Sequence, residues 1–87
     1  MANSDIAMIV DKSGLNLARE DRAYIEESIS ILYDQDIVRF VLRQYVHIFK
    51  SHLRREDVPQ GVLPNLGRRA ANTFLRNFIN THHTQAS

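Results

Sequence analysis

The sequence predicts an all-α fold: a small three- to four-helix bundle with a long central helix, expected to dimerise. Three observations point there. Apolar residues recur at intervals of three and four along most of the chain, and no stretch shows the alternation of a half-buried strand. Gly and Pro concentrate at two places, "KSG" (12 to 14) and "VPQGVLP" (58 to 64), which punctuate the helical tracts. The balance of 44% hydrophobic to 24% charged residues belongs to a globular chain, not a disordered one. At 87 residues the chain makes one domain, 1 to 87, able to bury roughly 60 to 65% of its unfolded surface. So modest a core is a reason to expect a partner subunit.

The first tract, 4 to 12, reads either as a short helix capped by Asn3 or Ser4 and stopped at Gly14 or, within residues 1 to 16, as an extended arm. A second helix is expected over 17 to 33, capped near Asn16, with Glu20 and Asp21 in its first turns where the helix dipole favours acids. Its buried stripe is Ala18, Ile25, Ile29 and Leu32. The two aspartates around Gln35 predict a break and a new cap.

The third helix, 37 to 54, is the expected centre of the bundle. Ile37, Val38, Val41, Leu42, Tyr45, Val46, Ile48, Phe49 and Leu53 spread over roughly half its circumference at about 100° per residue, more than one neighbouring helix can cover. Either a bundle centre or the seam of a homodimer accounts for that width. On the opposite side Arg39, Arg43, His47, Lys50 and Arg54 form a ridge about 22 Å long. The Pro/Gly segment that follows is a loop, because each proline pushes the residue before it towards extended geometry and Gly61 permits a turn. Val62 and Leu63 are expected to pin it. The last helix begins after Asn65 as cap and runs to about Thr81, with Leu66, Ala70, Ala71, Phe74, Leu75, Phe78 and Ile79 inward and residues 82 to 87 as a frayed tail.

Composition closes several function classes. The absence of cysteine removes disulfides, thiol catalysis and cysteine-ligated zinc, and fits a reducing compartment. "MANSDIAMIVDKSG" has only five apolar residues in a row before Asp11 and no basic leader, unlike a secretory signal. The most apolar region, 37 to 49, is interrupted by Arg39, Arg43, Gln44 and His47, which argues against a membrane span. A cytoplasmic protein is expected, with no membrane partner.

The net charge of +1 conceals a division. Residues 1 to 36 carry eight acids against Lys12, Arg19 and Arg22, a balance of −5; residues 37 to 87 carry Glu56 and Asp57 against eight bases, a balance of +6. The two halves either neutralise each other, within a chain or across a dimer, or leave a basic surface for an anionic partner. Pairing of Glu20 and Glu27 with Arg43 or Lys50 would be the internal solution.

The stretch "NLGRRAANTFLRNFINTHH" (65 to 83) has three arginines, four asparagines and no acid. Its polar face, Arg68, Arg69, Asn72, Thr73, Arg76 and Asn80, has residue types that pair with base edges and phosphates. A helix-turn-helix needs a short turn between short helices, however, and aligning one here would force a proline into the preceding helix. A solvated or protein-contacting face is therefore the stronger reading. His47 and His52 point about 140° apart on their helix, and His82 with His83 lack acids nearby, so no metal site or cofactor is expected. Ser28, Ser30 and Ser51 lack an elbow or oxyanion glycines, and the acid pairs 20/21 and 26/27 read as an exposed face, so no enzyme is expected. Most aromatics belong to the core, but Phe40 lies near the polar edge of the third helix and marks an interface.

The expectation is a small non-enzymatic regulatory protein acting through protein–protein interaction as a homodimer. Its contact surface would combine Arg39, Phe40, Arg43, His47, Lys50 and Arg54 with Arg68, Arg69, Asn72 and Arg76. The alternative is a DNA- or RNA-binding regulator using the same basic residues on phosphates.

Overall fold

The computed structural model describes residues 5 to 86, with side chains described as far as His82. It is an all-α bundle. An N-terminal segment, made of a π-helical turn Ile6–Val10 and a 3-10 turn Asp11–Ser13, precedes three α-helices: α1, Arg19–Ile29; α2, Gln35–Leu53; and α3, Leu63–Ala86. A 3-10 turn Gln60–Val62 leads into α3. The described residues contain no strand.

The central helix forms for local reasons. Asp34 takes an extended backbone and its carboxylate accepts from the Asp36 N–H at 2.8 Å, satisfying one of the orphan donors of α2. The break expected at the paired aspartates is therefore real, and the helix begins at Gln35, two residues before the expected Ile37. Asp36 in the first turn and Lys50 and His52 in the last complement the dipole. The helix runs unbroken for 19 residues. Val38, Val41, Leu42, Tyr45 and Phe49 are buried along it; Leu53, expected inward, is exposed because α2 ends there.

Helix α3 lies antiparallel to α2. Phe40 sits beside Phe78, Tyr45 bonds to Asn72, and Phe49 meets Gly67, so residue numbers rise along one helix as they fall along the other. The N-terminal segment also packs on α2, and α1 lies on α3. Ile6, Val10, Ile25, Ile29, Val38, Val41, Leu42, Tyr45, Phe49, Ala71 and Leu75 make one continuous core. A buried side chain of this size is worth roughly 1.5 to 3 kcal/mol. At Gly67 the helices approach so closely that a Cβ would stand 2.8 Å from both the Phe49 carbonyl oxygen and the Phe49 ring.

Several expected boundaries move. The N-terminal segment is neither an extended arm nor a regular α-helix: its π turn brings Ile6 and Val10, four residues apart, into the core, and Gly14 ends it at φ 87°. The caps expected at Asn3 or Ser4 lie outside the described residues. Helix α1 is shorter than 17 to 33. Its N-cap is Ala18, with no side-chain cap, and Ala18 is exposed rather than buried. At its far end the Ser30 hydroxyl donates to the Glu27 carbonyl at 2.6 Å, competing with the helical ladder. Tyr33 is consequently outside the helix and 95% exposed.

Helix α3 starts before its expected cap. Pro64 stands in the first turn, where its missing N–H costs nothing, and Asn65 is within the helix, not at its cap. Leu63 takes helical angles (φ −60°, ψ −43°) despite preceding a proline; its side chain is buried, which offsets the local strain. Of the two residues expected to pin the loop only Leu63 is buried, since Val62 is exposed. The helix continues through Ala86, past the end expected near Thr81.

Candidate functional site

Asp21 falls four residues before Ile25 and eight before Ile29, on the inward stripe of α1, and is only 4% exposed. This corrects the expectation of an exposed 20/21 acid pair. A buried carboxylate must be paired and hydrogen-bonded, and two residues of α3 do this. Arg68 Nε donates to Asp21 Oδ1 at 2.9 Å, and Asn72 Nδ2 donates to the same oxygen at 3.3 Å. Arg68 and Asn72 are one turn apart, so their side chains meet the acid together. The carbonyl end of Asn72 in turn accepts from the Tyr45 hydroxyl at 2.6 Å. Burial, and then the Asp21 charge, push that hydroxyl far above the ordinary tyrosine range, so it remains a neutral donor. One polar chain therefore ties α1, α3 and α2 together, and no buried side-chain nitrogen or oxygen among the described residues lacks a partner.

Above this chain lies a cleft of about 930 Å³ lined by Tyr24 from α1 and Asn65, Arg68, Arg69, Asn72, Thr73 and Arg76 from α3. Its lining holds three guanidinium groups and no carboxylate. Arg68 keeps about half its side chain exposed (48%) while its Nε is held from below by Asp21. Arg69 and Arg76 are exposed and make no ion pair among the described residues. Arg76 also borders a second hollow of about 420 Å³ with Glu27, where the cationic surface ends.

The cleft brings Arg68, Arg69, Asn72 and Arg76 together. None of Arg39, Phe40, Arg43, His47, Lys50 or Arg54 lines the cleft. Arg39 is turned to the chain's own acids, with Nε 3.4 Å from Asp5 and a guanidinium nitrogen 3.7 Å from Asp36. Arg43, His47 and Arg54 are exposed and Lys50 is half-buried. Phe40 is 49% exposed, its ring centroid 6.2 Å from that of Phe78.

The division of charge is partly neutralised within the chain, but through Asp21–Arg68 and Asp5–Arg39 rather than through Glu20 or Glu27. Local pairs Arg22–Asp11, Arg22–Glu26 and Arg55–Asp57 account for other acids. His52 Nδ1 donates to the Ile48 carbonyl at 3.0 Å, and His82 stacks on Phe78 with centroids 4.1 Å apart.

Three contributors to the site were not singled out from sequence: Asp21, Tyr45 and Tyr24. The signal for Asp21 was its position on the stripe of Ile25 and Ile29, which a buried acid can share only with a cationic partner. Chemically, the cleft offers planar guanidinium forks, amides and two hydroxyls: groups that hold an anion by charge and hydrogen bonding. The chain matches no family model, no curated protein and no solved structure. Among the described residues no helix is long and apolar enough to cross a membrane.

Proposed function

We propose that this is a non-enzymatic cytoplasmic regulator that captures an acidic segment of a partner protein in the cleft between α1 and α3. One observation carries the reading: three arginines and two asparagines converge on a cleft whose lining contains no acid. A carboxylate entering there meets charge-assisted donors, each worth about 1.5 to 3 kcal/mol. Arg68 is already oriented by Asp21, which reduces the entropy lost on binding.

A protein ligand suits the cleft better than a nucleic acid does. Duplex DNA presents a charge about every 1.7 Å and calls for a broad cationic field. Here Glu27 is exposed on α1 and shares a hollow with Tyr24 and Arg76 of the cleft, and no α2 residue lines the cleft. A short acidic peptide needs only the three arginines.

The test is fluorescence anisotropy with a labelled glutamate-rich peptide and, separately, a labelled DNA duplex, each at about 50 and 200 mM salt. The peptide should bind, and Arg69→Ala should weaken it by about tenfold or more. Tight, steeply salt-dependent capture of the duplex with no peptide binding would replace this reading by the nucleic-acid one. No binding of either probe would remove the cleft as a site.

A further inference from the structure

The outward side of α2 carries a feature that the cleft does not use. Asp36, Phe40 and Arg43 fall within roughly 60° of one another around the helix, and all three are exposed. Phe40 is half open to solvent, whereas the side chain of Asp36 is 91% exposed. Arg43 makes no ion pair among the described residues. Beside Phe40, on α3, lies a hollow of about 400 Å³ lined by Phe74, Asn77, Phe78, Thr81 and His82, whose rings form a ladder: Phe74 to Phe78 at 5.9 Å, Phe78 to His82 at 4.1 Å. An exposed phenylalanine next to a largely aromatic hollow is an apolar surface larger than a single stray side chain.

The order of charges around Phe40 identifies what covers it. At 1.5 Å per residue, Asp36 lies roughly 6 Å to one side of Phe40 along the helix and Arg43 roughly 4.5 Å to the other. When an identical helix is laid antiparallel across this point, each Asp36 comes within about 1.5 Å of axial register with the other copy's Arg43. The pattern acid–aromatic–base is complementary to itself under a two-fold axis, as an isologous interface requires. We infer that the protein forms a homodimer about α2, with the Phe40 rings of the two copies meeting at the axis beside the aromatic hollows and the Asp36 and Arg43 charges paired across it. The weak contact of Asp36 with Arg39 at 3.7 Å is replaced on association. A ligand in the cleft is not needed, because the cleft opens between α1 and α3 and shares no residue with this surface.

Sedimentation equilibrium on the full chain, across micromolar to millimolar concentrations, tests the inference. The unmodified protein should dimerise reversibly, and Phe40→Ser should leave a monomer with unchanged helicity by circular dichroism, since Phe40 is not part of the core. Asp36→Lys and Arg43→Glu should each raise the dimer dissociation constant by about tenfold or more, because every change occurs twice in an isologous interface. The double variant Asp36→Lys/Arg43→Glu exchanges the charges and should restore association. Asp36→Asn, which spares the first turn of α2 a positive charge, should show a smaller loss in the same direction. A monomer at all concentrations, a dimer indifferent to Phe40→Ser, or a double variant as weak as the single ones would overturn the inference.

Discussion

The arginines of α3 and those along α2 have the same chemistry and comparable exposure, yet they stand in different surroundings. Arg68 rests on a carboxylate that is itself buried and tied through Asn72 to Tyr45, so its position is fixed by the core. Arg43 and Arg54 are exposed on α2, and they pair with no acid among the described residues. A cation held from below is prepared for a ligand; one held by nothing pays side-chain entropy on every contact it makes. Counting arginines makes the two faces look equal. Traced to its support, each face has one arginine on a buried acid, but Arg68 meets Asp21 at 2.9 Å in a chain that reaches Tyr45, whereas Arg39 meets Asp5 only at 3.4 Å.

The sharpest way to break this comparison is to remove the matching cation from each face. Arg68→Met leaves the Asp21 carboxylate buried with only the long Asn72 contact. It should destabilise the domain by about 3 kcal/mol in urea denaturation, while Arg43→Met should change stability by no more than about 0.5 kcal/mol. Equal effects would mean that Asp21 does not support the cleft. A smaller loss is expected from the crossing that sets α3 against α2. Gly67→Ala drives a methyl group into the Phe49 backbone and should cost about 1 to 2 kcal/mol once its better helix propensity is subtracted. Gly61→Ala, with nothing within 4 Å, should be neutral or slightly stabilising.

The smallest effect concerns an exposed pair, which sharpens the contrast with Asp21. Hydrogen bonding to Arg22 holds the Asp11 carboxyl below its ordinary value. A group whose folded pKa is depressed adds stability above its unfolded pKa and loses it as pH falls through the folded value. The denaturation midpoints of Asp11→Asn and the unmodified protein should therefore differ slightly at neutral pH and converge below about pH 4. A difference that persisted in acid would assign the effect to something other than this charge.

Much of the architecture was legible because it rests on local chemistry. The apolar arc of α2 and the aspartate cap before it are encoded within a few residues of where they act, and both appear as the sequence suggests except for Leu53 at the helix end. The start of α3 was misplaced because a proline argues for a boundary, yet in a first turn its defect is harmless. Burial of Leu63 then favours helix where local rules favour extension. Arg68, Arg69, Asn72 and Arg76 could be grouped from helical spacing alone. Asp21 could not be joined to them so easily, because its partners lie 47 and 51 residues away and only the tertiary arrangement introduces them. The same holds for the absence of α2 residues from the cleft lining: periodicity places residues on a face of their own helix but not on a common face with another.

The near-contact at Gly67 has an implication for tracing descent. A side chain can be exchanged for one of similar volume, but an empty space at the crossing of two backbones has no substitute. Lineages that drift apart at every other surface should still keep a glycine three places after the proline that opens the last helix, with an aromatic residue eighteen places upstream. That spacing, joined to an acid on the preceding short helix and an Arg-x-x-x-Asn pair to receive it, is a pattern by which remote cousins of this chain could be recognised when ordinary resemblance has faded.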